Sequence, residues 1–301
     1  MDGETPPSIS SASNFGPTHV VEPTTRHTHT AILLHGRGGT GEDFAEELLD
    51  SIGLTEETVA QRLPAWRWVF PSSKQLWSTT FEEELPAWFE AHSLTDVTAR
   101  QDLQLPGIRE SVQHLRAILN DEIVRLDGSA DRVVLGGISQ GAAIAIWVLL
   151  CRDIPARRLG AFVGASTWLP FAANVESFLS PSAISHDRNP RSTSLASSEA
   201  DSFVEGMMGA LRRTLPDPSV RRPFLSTPVF LGHGTDDAYV DIELGRQARH
   251  VLTQIGFEVE WREYDGADQE GHWLKVPEEV DGIVHFLSTC VLGNICACDP
   301  V

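Results

Sequence analysis

The sequence predicts an α/β fold: a mostly parallel central sheet with helices on both faces, and an insertion ahead of the strand that leads to the candidate acid. Two observations carry this. Short, continuous apolar runs such as AILL, VVLGG and AFVGA read as strands buried on both faces rather than as half-exposed alternating strands. These runs also alternate with segments of helical period, which is the pattern of strand–helix–strand units.

Each element follows from local chemistry. HTAILLHG (29–36) is an apolar run ending in glycine, and after GRGGT the acids and apolar residues of EDFAEELL enter a helix near 42–50. WRWVFP (66–71) is a strand closed by proline. Ile108, Val112, Leu115, Leu119 and Ile123 recur at spacings of three and four, predicting an amphipathic helix over 107–126 that stops at Asp127-Gly128. DRVVLGG (131–137) is a strand, SQGAAIAIWVLLC (139–151) an almost wholly apolar helix, and RLGAFVGAS (158–166) a further strand. TPVFLGHG returns to strand, followed by a helix from Asp241 with Gly256 just past its end. FEVEWREY (257–264) alternates apolar and charged residues as a strand near an edge does, and VPEEVDGIVHFL closes the fold as a helix.

The expected organisation is a mobile leader over 1–27, a catalytic-type domain over 28–289 and a tail over 290–301. Within the domain, 171–226 is rich in serine and proline with one weak helix at 203–215, and is expected to be a lid or a disordered loop.

Composition narrows the function. The chain has 301 residues and a formal net charge of −19, which disfavours nucleic acid and anionic membrane surfaces as partners. No apolar run approaches membrane-spanning length. Cys290, Cys296 and Cys298 crowd the C-terminus without a CxxC pair, so neither a zinc site nor a disulfide framework is expected and a cytoplasmic setting is. No metal or cofactor is implied.

The chemistry centres on Gly137-Ile138-Ser139-Gln140-Gly141, a G-x-S-x-G string at the junction of a strand and an apolar helix. That is where a nucleophile elbow must lie: the turn is so tight that only glycines fit beside the serine, whose hydroxyl is pushed out above the sheet. A serine hydroxyl needs a base. Of the downstream histidines, His250 and His285 fall inside amphipathic helices, His186 falls in the insertion and His233 directly precedes the acids. His272 stands in the loop DGADQEGHW beyond a strand's carboxyl end, where catalytic groups gather in open parallel sheets. The acid that orients it is expected after TPVFL, where Asp241 reads as a helix N-cap, leaving Asp236 and Asp237. Two backbone N–H groups should hold the oxyanion, one from Gln140 and one from the glycine-rich loop after the first strand, at Arg37.

These pieces together resemble the phospholipase/carboxylesterase family of α/β-hydrolases, especially acyl-protein thioesterases. The matching stretches are AILLHGRGGTGEDFAEEL, FPSS with LPAWFE, RVVLGGISQGAAIAI, STWLP, PVFLGHGTDDAYV and EGHW. The resemblance implies the α/β-hydrolase fold and hydrolysis of carboxylic ester or thioester bonds through an acyl-enzyme, with an acyl ester, a thioester or a lipidated protein as substrate. Laid on the family's acid motif H-G-x-x-D-x-x-V, the acid falls on Asp237. It also implies that Trp88 and Trp168 lie near the mouth of the site. Arg37 stands where such thioesterases often carry an apolar residue, and its guanidinium is expected to meet an anionic part of a substrate. The rival readings are a carboxylesterase or lysophospholipase for a small ester, and a non-catalytic binding protein on the same scaffold.

Overall fold

The structure, a computed structural model, describes residues 14–93, 95–151, 157–180, 195–214 and 222–292. Strands β1 (His19–Val21) and β2 (His29–Leu34) are followed by helices α1 (Gly41–Leu49) and α2 (Val59–Arg62). Strand β3 (Trp66–Phe70), a hairpin of β4 (Lys74–Ser78) and β5 (Glu83–Ala87), and the long helix α3 (Gln104–Arg125) come next. Strand β6 (Val133–Ile138), helix α4 (Ser139–Leu150), strand β7 (Ala161–Ala165) and helices α5 (Ala172–Leu179) and α6 (Leu195–Thr214) form the middle of the chain. Strand β8 (Val229–Gly234), helix α7 (Ile242–Ile255), strand β9 (Val259–Tyr264) and helix α8 (Glu278–Leu287) complete it.

A seven-stranded sheet runs in the order β1-β3-β2-β6-β7-β8-β9, parallel throughout except for β1, which pairs antiparallel with β3. The period-two alternation of β2 divides the core. Ile32 and Leu34 face the layer of α3 to α7, with Leu115, Phe203 and Val251; Ala31 and Leu33 face α1, α2 and α8, with Phe44, Val59 and Val284. Residues exposed on neither face explain why β2, β6 and β7 read as continuous apolar runs. The alternating segment β9 is an edge strand, as its pattern predicts.

Two expectations are corrected. Residues 14–27 of the expected mobile leader are packed: β1 is a sheet edge, the Gly16 N–H donates to the Ser73 carbonyl at 3.0 Å, and the Phe15 ring stacks on His114 at 3.9 Å. Its first thirteen residues lie outside the described ones, as do residues 293–301 of the expected tail. Within 171–226, the described parts are neither lid nor disordered loop. Helix α6 starts eight residues earlier than the apolar content of 203–215 implied, and buries Ala200, Phe203, Val204, Met208 and Leu211. Those positions share one helical face. Phe203 meets Trp147 edge-on at 5.2 Å, which makes α6 a covering layer over α4.

Candidate active site

The elbow is built by close approach. Strand β6 delivers Ser139 at φ +53°, a left-handed conformation that a non-glycine residue holds only under constraint. A Cβ on Gly137 would lie 2.4 Å from the Leu34 carbonyl oxygen, and one on Gly141 2.3 Å from the same oxygen and 2.4 Å from that of His35. The two glycines therefore let α4 leave β6 directly over β2. Gln140 sits in the first turn of α4, where N–H groups have no intrahelical partner. Its side chain accepts from the Trp88 N–H and donates to the Phe89 carbonyl, both at 2.9 Å, which ties the elbow to the LPAWF segment.

Ser139, Gln140, Arg37 and His272 line one cleft of about 680 Å³, within the usual size of small-molecule sites. The loop after β2 closes on the nucleophile: a Cβ on Gly36 would stand 3.4 Å from that of Ser139. His35 fixes this loop, its Nδ1–H donating to the Gly36 carbonyl at 2.6 Å and its Nε2 accepting from the Ser73 N–H at 3.0 Å. Burial lowers its pKa to about 4, so it stays neutral and keeps both roles.

The candidate acid and base meet across two loops. The His272 Nδ1 lies 2.8 and 3.0 Å from the carboxylate oxygens of Asp237, so a proton on Nδ1 leaves Nε2 as the ring's acceptor. The Asp237 carboxylate is buried and also accepts the N–H groups of Tyr239 and Val240, each at 2.9 Å. Burial works to raise its pKa, but hydrogen bonds from His233 and His272 and the Val240 N–H outweigh this and hold it below the ordinary carboxylate range. Asp236 instead accepts the Gly266 N–H at 3.1 Å, and Asp241 caps α7 through the Glu243 N–H at 2.8 Å.

Sequence reasoning set His233 aside, yet it stands directly behind the acid. It is buried, with Nε2 at 2.9 Å from the Val240 carbonyl and 3.4 Å from Asp237. The carbonyl contact places a proton on Nε2. The H-G-x-x-D string holds this residue, but only its place one turn behind the acid reveals what it does. Tyr239, whose ring is 5.3 Å from that of His272, and Phe81 of the β4–β5 hairpin were also missed as cleft-lining residues.

Trp168 lines the cleft, whereas Trp88 does not. Trp88 is wholly buried and donates its ring N–H to the His35 carbonyl at 2.9 Å, so its role is to pack and to hold the loop. The Arg37 guanidinium donates to the Ala91 carbonyl at 3.0 Å and the Ser78 hydroxyl at 2.7 Å, with the Phe81 ring 5.1 Å away, so neutral groups of the protein hold it beside the cleft. Among the described residues no group of histidine, cysteine and acidic side chains is arranged to hold a metal ion.

A parallel sheet with an elbow after its central strand, an acid after β8 and a histidine after β9 has the architecture of an α/β-hydrolase. The phospholipase/carboxylesterase family model matches residues 16–187, more than half of the chain, and the protein belongs to that family. This places it among ester and thioester hydrolases. It is similar to acyl-protein thioesterase 1 of Yarrowia lipolytica (strain CLIB 122 / E 150), 27% identical over 265 residues that cover 87% of this chain and 91% of that protein. The same-named protein of Gibberella zeae is 26% identical, over 87% of this chain and 90% of its own. Among solved structures, Zea mays acyl-protein thioesterase 2 superposes with a TM-score of 0.62 at 25% identity, covering 92% of this chain and 99% of that one. Arabidopsis thaliana SOBER1 shares the fold, with a TM-score of 0.58 at 21% identity over 87% and 98% of the two chains. The family match ends before β8, so Asp237 and His272 rest on geometry rather than on that match.

Proposed function

We propose that the protein hydrolyses acyl esters and thioesters, including those of lipidated proteins, through a covalent acyl-enzyme. Ser139 attacks the carbonyl carbon as His272 takes its proton, while Asp237 orients the imidazole and stabilises its charge. The N–H groups of Arg37 and Gln140 receive the oxyanion, an interaction worth about 3 kcal/mol per donor in comparable sites. His272 returns the proton to the leaving alcohol or thiol. Water, activated by the same imidazole, then attacks the acyl-enzyme and releases the acid.

The observation that carries this reading is the Asp237–His272 hydrogen bond opening onto the same cleft as a serine held at positive φ. The thioesterase names of the relatives on both comparisons favour acyl substrates of that kind. The cleft is walled by Trp168, Trp273, Phe81 and Leu85, which suits an acyl chain better than a small polar ester. The absence of a disulfide pattern from the cysteine spacing supports a cytoplasmic setting.

Hydrolysis of a palmitoyl-thioester peptide, lysophosphatidylcholine and a short p-nitrophenyl ester by the wild type beside Ser139→Ala tests the reading. The wild type should favour the thioester, and Ser139→Ala should lose activity on all by on the order of 10⁴-fold or more. Turnover that survives in Ser139→Ala would move the nucleophile elsewhere.

A further inference from the structure

Behind the site lies a buried carboxyl that the mechanism above does not use. Glu279, in the first turn of α8, is 2% exposed. Its Oε2 accepts the Lys275 N–H at 2.9 Å, and its own N–H donates to the Lys275 carbonyl at 2.7 Å. Oε1 has no partner. This oxygen presses into a notch in β8: a Cβ on Gly232 would stand 1.8 Å from it. One carboxyl thus touches the strand that delivers the acid and grips the loop that delivers the base, three residues past His272.

The grip extends further. The Lys275 ammonium donates to the Gly266 carbonyl at 2.6 Å, and the Gly266 N–H donates to Asp236, the neighbour of Asp237. A chain of contacts from Glu279 through Lys275 and Gly266 to Asp236 therefore joins the same two loops as the direct Asp237–His272 bond. Gly232 is what makes room for it, since any side chain there would expel the carboxyl from between strand and loop.

We propose that Glu279 is a positioning residue that holds the His272 loop against the acid-bearing strand, and that it does so as an uncharged carboxyl. The proposal rests on the reading of His272 as the base. A charge at this place would be desolvated with one oxygen unpartnered, which is strongly unfavourable. Burial accordingly raises the pKa to about 8, against the opposing hydrogen bond from Lys275. Facing it from β9 is Tyr264, itself raised by burial and then by Glu279; β8 presents backbone at Gly232, and the Lys275 ammonium is engaged by the Gly266 carbonyl. Ionisation above about pH 8 should push the carboxyl out of its notch and loosen the loop.

The test compares kcat and KM of the full chain with Glu279→Gln and Glu279→Leu between pH 6 and 10, on a short p-nitrophenyl ester. Gln keeps an acceptor for the Lys275 N–H and cannot ionise, so its kcat at pH 7 should stay within about twofold of the wild type, and the wild-type decline above about pH 8 should be absent. Leu removes the acceptor, and kcat should fall about tenfold or more with KM within about twofold, as misplacement of a catalytic group predicts. The proposal is overturned if Gln is as impaired as Leu, if Leu is unimpaired, or if wild type and Gln share one alkaline decline. Should Leu fail to fold, the pH profile of Gln decides alone. His272→Ala and Ser139→Ala, assayed in parallel, separate the two levels. Activity in those variants refutes the reading of the site itself, whereas inactive controls with a shared alkaline decline refute Glu279 alone.

Discussion

Two walls of the same cleft are held in opposite ways. The candidate acid and base loops after β8 and β9 are fixed by buried hydrogen bonds: Asp237 accepts from His272 and two backbone N–H groups, with His233 3.4 Å behind it. The β4–β5 hairpin is a two-stranded ribbon apart from the main sheet, with Trp77 57% and Phe81 54% exposed. It is tethered through the Arg37 guanidinium and through the Gly38 N–H, which donates to the Pro86 carbonyl at 2.8 Å. The first wall spends its polar groups on one geometry, which the reaction proposed at Ser139 requires. The second keeps large apolar surface in water.

The sharpest way to break this contrast lies in the adjacent aspartates. Asp237→Asn should cut kcat by on the order of 10⁴-fold, because the amide no longer stabilises the imidazolium and no longer selects its tautomer. Asp236→Asn keeps one oxygen to accept the Gly266 N–H and loses only the charge, so it should cost about tenfold or less. Steady-state kinetics of the pair decides it, and the reverse order would transfer the role of acid to Asp236.

The same contrast explains what could be read from the sequence. The fixed wall was legible because its chemistry is local. Ser139 between two glycines, Asp241 as a cap and Gly256 past the end of α7 each follow from a turn or cap that only some residues satisfy. The hairpin was not legible, since KQLWS and EELPA mix charge, proline and aromatic residues without clean alternation, and their pairing is set by contacts across the cleft. Trp88 misled for a related reason: its motif marks the neighbourhood of the site, while the direction of the ring depends on the His35 carbonyl. His233 and Glu279 were hidden because each works through another residue, a relation that spacing along the chain does not carry.

Next in size is Gly141→Ala. The added methyl would meet two backbone oxygens, which cannot move aside as a side chain end could. We expect a loss of about 3 kcal/mol in denaturant unfolding, or failure to express as soluble protein, from overpacking at the elbow. A variant with unchanged stability would mean that α4 can slide away from β2, and that the floor of the cleft is softer than its hydrogen bonds imply.

Glu279→Gln probes the fixed wall through stability rather than rate. The native carboxyl has its pKa raised from 4.5 to about 8, so between those values the folded protein holds a proton that the unfolded chain has released. The unfolded state then binds fewer protons, and stability falls as pH rises across that window, by up to about 1.4 kcal/mol per unit. Unfolding of the wild type at pH 5, 6 and 7 should show this decline superimposed on other titrations. Subtracting the Gln variant, which has no proton to hold, should isolate it; equal slopes would place an ionised carboxylate in the notch.

The smallest effect belongs to the exposed wall. Phe81→Ala removes an exposed ring and its contact with the Arg37 guanidinium, worth about 0.5–1 kcal/mol at an exposed site. The guanidinium keeps its bonds to Ala91 and Ser78, so the fold and the oxyanion loop should hold. Turnover of a short ester should therefore be unchanged, while KM for a long-chain thioester rises a few-fold, as loss of one apolar contact of about 1 kcal/mol predicts. A fall in kcat on the short ester would show instead that the ring holds Arg37, and with it the oxyanion N–H, in place. In that case the hairpin would belong with the fixed wall.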